Sequence, residues 1–319
     1  MKITNKIDEI VLAVTYRCNS RCRMCNIWQI KNHENEFSLE DIKKLPRNLK
    51  SINISGGEPF LRKDLVDMIK AIVDHLPKAN IIISSNGFAS DLILEKTKEI
   101  MKIKPNIGIA ISLDGIGEGH NDVRNIPGGF ERILETIAYL KKAGMNNLRI
   151  GFTMGDYNTH ELKRVYDVAN RLDMEMSLAV THSSDNFFKA DNSLDNKAKM
   201  IDELDWLIKQ ELSSWKIKRW ARAYFAHGMK HYLKTGQRLL PDYSGKANFF
   251  IDPQGNIFAN DVSSELLGNI NSTKLEDLMQ KNHEFKDSWM ICTARPAIKK
   301  HKTKVISWML KNKINNFVK

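Results

Sequence analysis

The sequence predicts an α/β fold, a partial (β/α)6 TIM-like barrel followed by a smaller α+β extension. Three observations lead to this prediction. Six short runs rich in Ile and Val recur within the first 181 residues, amphipathic segments separate them, and the runs read as apolar on both faces. Strands of this kind that alternate with helices are typical of parallel sheets covered by helices.

The predicted strands follow one another with a turn and a helical pattern between each pair. The strands are residues 9–15, 51–55, 80–85, 107–113, 148–154 and 174–181. Segments such as LVDMIKAIVDHL and FERILETIAYLKKAG carry apolar residues at helical spacing between them. In barrels of this type the chemistry lies on the loops after the strands, so functional residues are expected there.

The pattern changes near residue 190, which divides a core of residues 1–190 from an extension of residues 191–319. The extension contains helical patterns at residues 195–240 and 273–285 and a hairpin around DPQGN at residues 247–259. It ends in an amphipathic segment with a basic face at residues 305–318. We therefore expect a small mixed α and β region after the barrel.

The composition bounds the class of protein. The chain has 319 residues, of which 42% are hydrophobic, and it holds four cysteines. It has no run of 18 apolar residues and no signal peptide, so we expect neither a membrane span nor a secreted disulfide framework, and the cytoplasm is the expected compartment.

The formal net charge is +11, and residues 215–238 and 295–319 carry much of the excess. A solvated lysine-rich face, a helix packed on the barrel and a peripheral contact between the basic C-terminal segment and a membrane all remain open. No nucleic-acid reader motif is present, so sequence-specific nucleic-acid binding is not expected.

Three of the four cysteines stand together after the first strand, in the stretch TYRCNSRCRMCNIW. Cys18, Cys22 and Cys25 have the spacing C-x3-C-x2-C. A zinc site would normally need a fourth protein ligand in a second pair, which the sequence lacks. Free structural cysteines are another interpretation. The third is an iron–sulfur cluster with one iron left open for a small molecule.

Polar groups also follow the next two strands. Gly56 and Gly57 in ISGGEPF let the backbone come close to a ligand, and Glu58 offers a carboxylate to an ammonium group. An ordinary strand-to-helix turn at Pro59 is the alternative. The stretch SSNGF then places Ser85 and Asn86 at a strand end, where a hydroxyl and an amide suit ribose or amino-acid atoms.

Together these motifs resemble the radical S-adenosylmethionine (radical SAM) superfamily over about residues 8–185. The resemblance implies one 4Fe-4S cluster on the three cysteines. It also implies that S-adenosylmethionine binds the open iron and is cleaved to a 5′-deoxyadenosyl radical, which abstracts hydrogen from a substrate. It further implies that the following residues contact S-adenosylmethionine or the substrate: Gly56, Gly57, Glu58, Ser85, Asn86, Ser112, Asp114 and Arg124.

Two of these implied roles are specific. Arg124 would pair with the carboxylate of S-adenosylmethionine, because its planar fork suits a carboxylate. Met24 stands before the third cysteine, where the family usually has an aromatic residue that stacks on adenine, and a thioether can also pack on a ring.

The extension resembles the SPASM-type extension that often holds auxiliary clusters in this superfamily. The cysteines expected there are missing: Asn260 stands where one commonly ends the hairpin, and none occurs within residues 242–245. Only Cys292 remains, so we predict no auxiliary cluster and regard Cys292 as a small buried residue or a bystander.

The loops after strands five and six supply the substrate candidates, which are Thr153, Met154, Asp156 and Asn158, then His182, Ser183, Ser184, Asp185 and Asn186. His182 is a weak candidate for a catalytic group. We expect a small polar, sugar or lipid-linked substrate and a reducing protein such as flavodoxin or ferredoxin.

Two alternatives stay open. The first is a radical SAM peptide maturase, although the first strand begins at about residue 8 and leaves little room for a leader-binding domain ahead of it. The second belongs to another class, a non-catalytic zinc-binding or redox-sensing module. It would use the three cysteines without S-adenosylmethionine.

Overall fold

A computed structural model describes residues 6–184, 187–280 and 287–317. Nine strands lie within these ranges. They are β1 (Glu9–Thr15), β2 (Ser51–Gly56), β3 (Asn80–Ser85), β4 (Gly108–Ser112), β5 (Leu148–Met154), β6 (Glu175–Val180), β7 (Asn248–Ile251), β8 (Asn256–Phe258) and β9 (Gly268–Asn269). The first six coincide with the predicted strands to within two residues at each end.

The described α-helices are α1 (Leu65–His75), α2 (Ser90–Ile103), α3 (Glu118–Arg124), α4 (Gly129–Lys142), α5 (Leu162–Arg171), α6 (Lys197–Ser213), α7 (Ile217–Thr235), α8 (Leu275–Leu278), α9 (Ile291–Lys300) and α10 (Lys302–Phe317). Short 3-10 helices occupy Ile27–Gln29, Glu40–Lys44, Pro59–Leu61 and Thr159–Glu161. The predicted helix at 273–285 is present only as α8, and its residues 281–285 lie outside the described ranges.

All nine strands form one sheet in the order β6-β5-β4-β3-β2-β1-β7-β8-β9. Strands β1 to β6 are parallel neighbours, and the sheet stays open, which confirms a partial barrel. The predicted hairpin is present as β7 and β8, with Phe250 opposite Phe258. It does not form a sheet of its own, because β7 pairs in parallel with β1.

The prediction that the strands are apolar on both faces is wrong. One face of the sheet is apolar and buried beneath the helices, with Ile52, Ile54, Ile81, Ile83 and Ile109 among its residues. The other face lines a cavity with short and polar side chains, namely Asn53, Ser55, Ser84, Ser112 and Thr153. A binding cavity replaces hydrocarbon packing on that side, so the polar positions break the apolar pattern.

The extension packs directly on the core. Helices α6 and α7 pack against each other, and α10 contacts both. Helix α9 packs on β1 and β7, where Arg295 and Lys299 each donate to the buried Glu9 carboxylate at 2.6 Å. Among the described residues, no helix is long and apolar enough to cross a membrane.

Candidate active site

The three clustered cysteines lie on the loop that follows β1, and all three line a cavity of about 260 Å³. Each is neither fully buried nor fully exposed. Hydrogen-bond donors lie beside two of the sulfur atoms. The Ser20 hydroxyl lies 3.0 Å from the Cys22 sulfur, and the Ser20 backbone N–H donates to the Cys18 sulfur at 3.4 Å. The loop therefore presents three sulfurs to one cavity.

Burial also shapes the chemistry of these thiols. It raises the pKa of Cys18 to about 11 and the pKa of Cys25 to about 12. In the metal-free state both side chains are thus neutral thiols at neutral pH. Binding a metal must displace their protons, which couples ligation to pH.

Gly56 and Gly57 hold the end of β2 against the cysteine loop. A Cβ on Gly56 would lie 2.2 Å from the Thr15 carbonyl oxygen, and one on Gly57 would lie 2.3 Å from the Arg17 carbonyl oxygen. Gly56 also has φ +130°, a conformation that side chains rarely adopt. Both glycines line the cavity, but the close approach they permit is first of all between two segments of backbone.

Glu58 lies behind the cavity wall. Its side chain is fully buried and accepts hydrogen bonds from the Asn86 backbone N–H at 2.7 Å and from the Ser85 hydroxyl at 3.0 Å. Ser85 and Asn86 do line the cavity, and Asn86 Nδ2 approaches the Cys18 sulfur at 3.8 Å. Burial raises the pKa of Glu58 to about 7. Glu58 thus positions two cavity residues.

Arg124 and Asp114 form a second buried support. Arg124 Nε donates to Asp114 Oδ2 at 2.6 Å, and Arg124 Nη1 reaches the Cys22 sulfur at 3.4 Å. Burial alone would lower the pKa of Arg124, but the Asp114 carboxylate raises it, so the guanidinium stays charged. Arg124 lines the cavity beside Ser112, whereas Asp114 is completely covered.

The cavity brings most of the predicted site residues together. Its wall includes the three cysteines, Met24, Gly56, Gly57, Ser85, Asn86, Ser112, Arg124, Thr153 and His182. Of the site residues predicted from the motifs, only Glu58 and Asp114 lie behind this wall. His182 has its Nδ1 hydrogen bonded with the Val180 carbonyl at 2.5 Å and its ring stacked on Tyr232.

Several substrate candidates instead have structural contacts. Asp156 accepts from the backbone N–H groups of Asp195 and Asn196 just before α6, and Asn158 bridges the Asp114 and Thr153 carbonyls. Met154 is fully buried. Ser183 accepts from the backbone of Asn192, and Ser184 Oγ donates to the Asp261 carbonyl. Asp185 and Asn186 lie outside the described residues.

Sequence reasoning missed Asp261 as a wall residue of the cavity. Asp261 lies three residues after Phe258, the last residue of the hairpin, and accepts from the Cys292 thiol at 3.4 Å. Both side chains line the cavity and are buried, which confirms the predicted burial of Cys292 but places its thiol at the wall. The only sequence signal was that Asp261 follows Asn260, the position at which a cysteine commonly ends the hairpin.

Comparisons with known proteins agree with this geometry. The family model described as the Radical SAM superfamily matches residues 12–169. A GTP 3′,8-cyclase of Aliarcobacter butzleri is 30% identical over 148 residues, which are 44% of this chain and 45% of that protein. An Fe-coproporphyrin III synthase of Methanosarcina barkeri is 31% identical over 174 residues, 51% of this chain and 41% of that protein. The chain thus spans about half the length of the curated relatives it matches.

Two solved structures share the fold over a longer stretch. Streptococcus suis SuiB bound to S-adenosylmethionine has a TM-score of 0.65 at 16% identity, covering 87% of this chain and 66% of that one. The anSMEcpe structure with bound AdoMet has a TM-score of 0.62 at 16% identity, covering 86% and 81%. These shares exceed the predicted core, so the similarity of fold continues into the extension.

The motif-bearing cavity, the open parallel sheet and the family match define the class of this protein. The chain belongs to the radical SAM superfamily. Its residues fit the cluster that this class holds, because three sulfurs share one wall and hydrogen-bond donors are aimed at two of them. Within the described part of the chain, no group of three His, Cys, Asp or Glu side chains is placed to hold a single metal ion.

Proposed function

We propose that this protein is a radical SAM enzyme that holds one 4Fe-4S cluster on Cys18, Cys22 and Cys25. The observation that carries the proposal is the convergence of these three sulfurs on a cavity lined by Ser85 and Asn86. When bound, such a cluster supplies one electron that cleaves S-adenosylmethionine to a 5′-deoxyadenosyl radical, which then abstracts hydrogen from a substrate.

The surrounding residues would bind and orient the cofactors. Ser85, Asn86 and Ser112 offer polar groups to S-adenosylmethionine, and the thioether of Met24 offers an apolar surface to its adenine ring. Glu58 acts through Ser85 and Asn86, whose positions it fixes. Arg124 donates to the Cys22 sulfur at 3.4 Å and would help to orient that ligand.

A second cluster is not part of this proposal. Asn260 and residues 242–245 stand where auxiliary cysteines are expected, and here they form a hydrogen-bond network. Asn260 Nδ2 donates to Ser244 Oγ at 3.3 Å, and Ser244 Oγ donates to Asp242 Oδ1 at 2.7 Å. Asp242 in turn lies 3.2 Å from Arg238. These polar contacts occupy the positions at which the ligand cysteines are expected.

A lipid-linked substrate is favoured by the surface of the extension. Five of the exposed large apolar side chains lie on α10, on the turn before α7 or at the first residue of α7. They are Trp215, Ile217, Ile306, Leu310 and Ile314. Three are spaced four residues apart on α10, so they share one helix face. Lys313 joins the two parts by donating to the Ser214 carbonyl at 2.8 Å and lying 4.5 Å from the Trp215 ring.

We call these five residues the apolar face, and the charge around it favours an anionic partner. No Asp or Glu occurs in residues 212–241 or 288–319, whereas Lys216, Lys218, Lys304 and Lys311 are exposed nearby. An exposed Trp with apolar residues amid lysines is typical of a protein surface that rests on anionic lipid. We therefore propose peripheral binding to an anionic membrane.

Peptide modification is the second candidate. Among proteins of the same fold, SuiB has been solved with the precursor peptide SuiA and anSMEcpe with the Cp18Cys peptide. The likeness in fold does not carry those substrates to this chain, and the apolar face favours the lipid-linked candidate. Flavodoxin or ferredoxin as electron donor stays a prediction.

The test counts iron and follows cleavage. The protein is purified without oxygen, reconstituted with iron and sulfide, and mixed with S-adenosylmethionine and dithionite. We expect about four irons per chain and 5′-deoxyadenosine, with both lost in Cys22→Ala. Cys292→Ala is the matched control, and it should keep the iron. About eight irons would contradict the single cluster, and zinc without cleavage would contradict the enzyme.

A further inference from the structure

A second cavity of about 490 Å³ lies near the other end of the sheet, and we call it the lower cavity. It is bounded by the first residues of β5 and β6, by α6 and α7, and by α9. Apolar side chains form most of its wall, including Met176, Leu178, Leu207, Phe225 and Ile298. Its size falls within the range of cavities that bind small organic ligands.

Basic side chains border this apolar space. Arg149, Lys218, Arg222, Arg295 and Lys299 line it, against two acidic side chains, Glu175 and Glu211. Arg295 and Lys299 share the carboxylate of Glu9, and Arg222 lies 3.2 Å from Glu211, which Arg219 also contacts at that distance. The Glu175 carboxylate lies 3.6 to 3.9 Å from the side-chain nitrogens of Lys218, Arg222 and Arg149. Three carboxylates therefore face six cations.

Arg149 makes one long hydrogen bond, from its Nη2 to Asn147 Oδ1 at 3.4 Å. Its Nε is buried and has no hydrogen-bond partner among the residues that the structure describes. The nearest carboxylate oxygen, on Glu175, lies 3.9 Å away, which is beyond hydrogen-bond distance. Burial, together with the nearby Arg295 and Arg222, lowers the pKa of Arg149. A buried donor without an acceptor is unfavourable, and an anion beside it would relieve this.

The lower cavity adjoins the cavity of the cysteines. Ile291, at the start of α9, lines both, and it is 40% exposed. The lower cavity begins at Glu175 on β6, and the upper one reaches Ala179 on the same strand. Four residues of a strand span about 13 Å. An extended chain of that length, anchored at Arg149, would reach the upper cavity past Ile291.

We propose that the lower cavity binds an anionic amphiphile, a carboxylate or phosphate monoester with an aliphatic chain. The anionic group pairs with Arg149 and Arg222, and the chain lies along the apolar wall toward Ile291. The amphiphile is then the substrate, an assignment that rests on the proposed function, and its non-reacting part lies in the lower cavity. The binding itself requires neither cluster nor S-adenosylmethionine.

Calorimetry on the protein without its cluster tests the binding. Decanoate and decyl phosphate are compared with decanol, which has a chain of equal length and no charge. We expect both anions to bind at least about tenfold more tightly than decanol, since hydrogen bonds to charged groups stabilise complexes by more than a factor of ten. Equal binding of all three, or no binding, would overturn the proposal.

Variants locate the ligand. Arg149→Gln should weaken decanoate binding about tenfold or more while leaving decanol unchanged. Ala221→Trp, which fills the cavity from its half-buried wall, should abolish binding of all three probes. Arg132→Gln removes an exposed arginine of α4 and is the charge-matched control. Unfolding curves confirm that each variant folds. Loss of binding in Arg132→Gln equal to that in Arg149→Gln would overturn the proposal.

A further comparison distinguishes a bilayer lipid from a free amphiphile as the source of the anionic group. Phosphatidylglycerol vesicles replace decanoate, with Arg149→Gln and wild type measured side by side. Vesicle binding that falls in Arg149→Gln identifies a bilayer lipid as the ligand, and decanoate binding that falls while vesicle binding holds identifies a free amphiphile. If neither falls, the cavity does not recognise the anion. Formation of 5′-deoxyadenosine is measured separately, so a failure of the proposed function is distinguishable.

Discussion

Arg124 connects Asp114 to Cys22, since its Nε donates to the Asp114 carboxylate at 2.6 Å and its Nη1 reaches the Cys22 sulfur at 3.4 Å. Asp114 also accepts from the Thr153 backbone N–H at 2.7 Å. The carboxylate therefore holds together the ends of β4, α3 and β5. Cys22, a proposed cluster ligand, is thus contacted by a residue about a hundred positions later in the chain.

The first prediction concerns this ion pair. Asp114→Asn should lower the free energy of unfolding by about 3–5 kcal/mol, because it leaves a buried guanidinium without its counter-charge. Urea unfolding at pH 7 measures the change. Glu40→Gln is the control, since Glu40 also pairs with a cation, Lys43, at 2.7 Å but both side chains are exposed, and it should change the value by about 1 kcal/mol or less. Equal losses in the two variants would contradict the assignment.

The second prediction separates backbone strain from overlap at Gly56. Gly56→Ala should destabilise the protein by roughly 3 kcal/mol or more, since it combines an unfavourable φ with contact against the Thr15 carbonyl. Gly144→Ala also falls at positive φ, but nothing lies within 4 Å of its Cβ, so about 1–2 kcal/mol is expected. Thermal unfolding ranks the two. A smaller loss for Gly56→Ala than for Gly144→Ala would show that the loops do not meet there.

The third prediction follows from the buried carboxyl of Glu58. Burial raises its pKa from the ordinary value of 4.5 to about 7, so the folded protein binds this proton more tightly than the unfolded chain does. Its contribution to stability is therefore complete below about pH 4.5 and is lost as the pH rises to about 7.

The stability difference between wild type and Glu58→Gln reports this proton. Between pH 5 and pH 8, the wild type should lose up to about 3 kcal/mol more than the variant, which cannot ionise. Urea unfolding of the cluster-free protein at four pH values measures the difference. Parallel curves for the two proteins would mean that Glu58 titrates alike in the folded and unfolded states.

The fourth prediction tests the apolar face of α10. Leu310→Ser should reduce co-sedimentation with phosphatidylglycerol vesicles several-fold, because a buried leucine contributes about 1.5–3 kcal/mol in transfer from water. Leu266→Ser is the matched control, since Leu266 is 58% exposed but lies in the loop between β8 and β9 and not on α10. Binding should also fall with added salt. Membrane binding would be refuted if the two substitutions had equal effects, or if a second copy of the protein covered the apolar face.

The order and bounds of the strands could be predicted because runs such as NIIISS bury their isoleucines under helices. The motifs also located the cavity, since parallel strands end at one edge of the sheet. The polar inner face was harder to predict. Asn53 and Ser84 interrupt the apolar pattern, and only the shape of the cavity explains why.

Residue roles that depend on distant partners could not be predicted. The resemblance implies that Arg124 pairs with a ligand carboxylate, and this role stays a prediction. Its 2.6 Å contact with the buried Asp114 was not predicted. The pairing of Asp261 with Cys292 joins two loops of the extension that no local pattern connects. Such contacts arise from tertiary packing, which spacing along the chain does not encode.

The parallel pairing of β7 with β1 has a consequence for biosynthesis. β1 leads directly into the cysteine loop, yet one of its two neighbours is made only after most of the chain has been synthesised. Pairing between such distant segments is slow, because a large loop must close first. On the ribosome, the nascent β1 would therefore expose one unpaired edge, and the thiols beside it, to oxidants and chaperones for most of the time that translation takes.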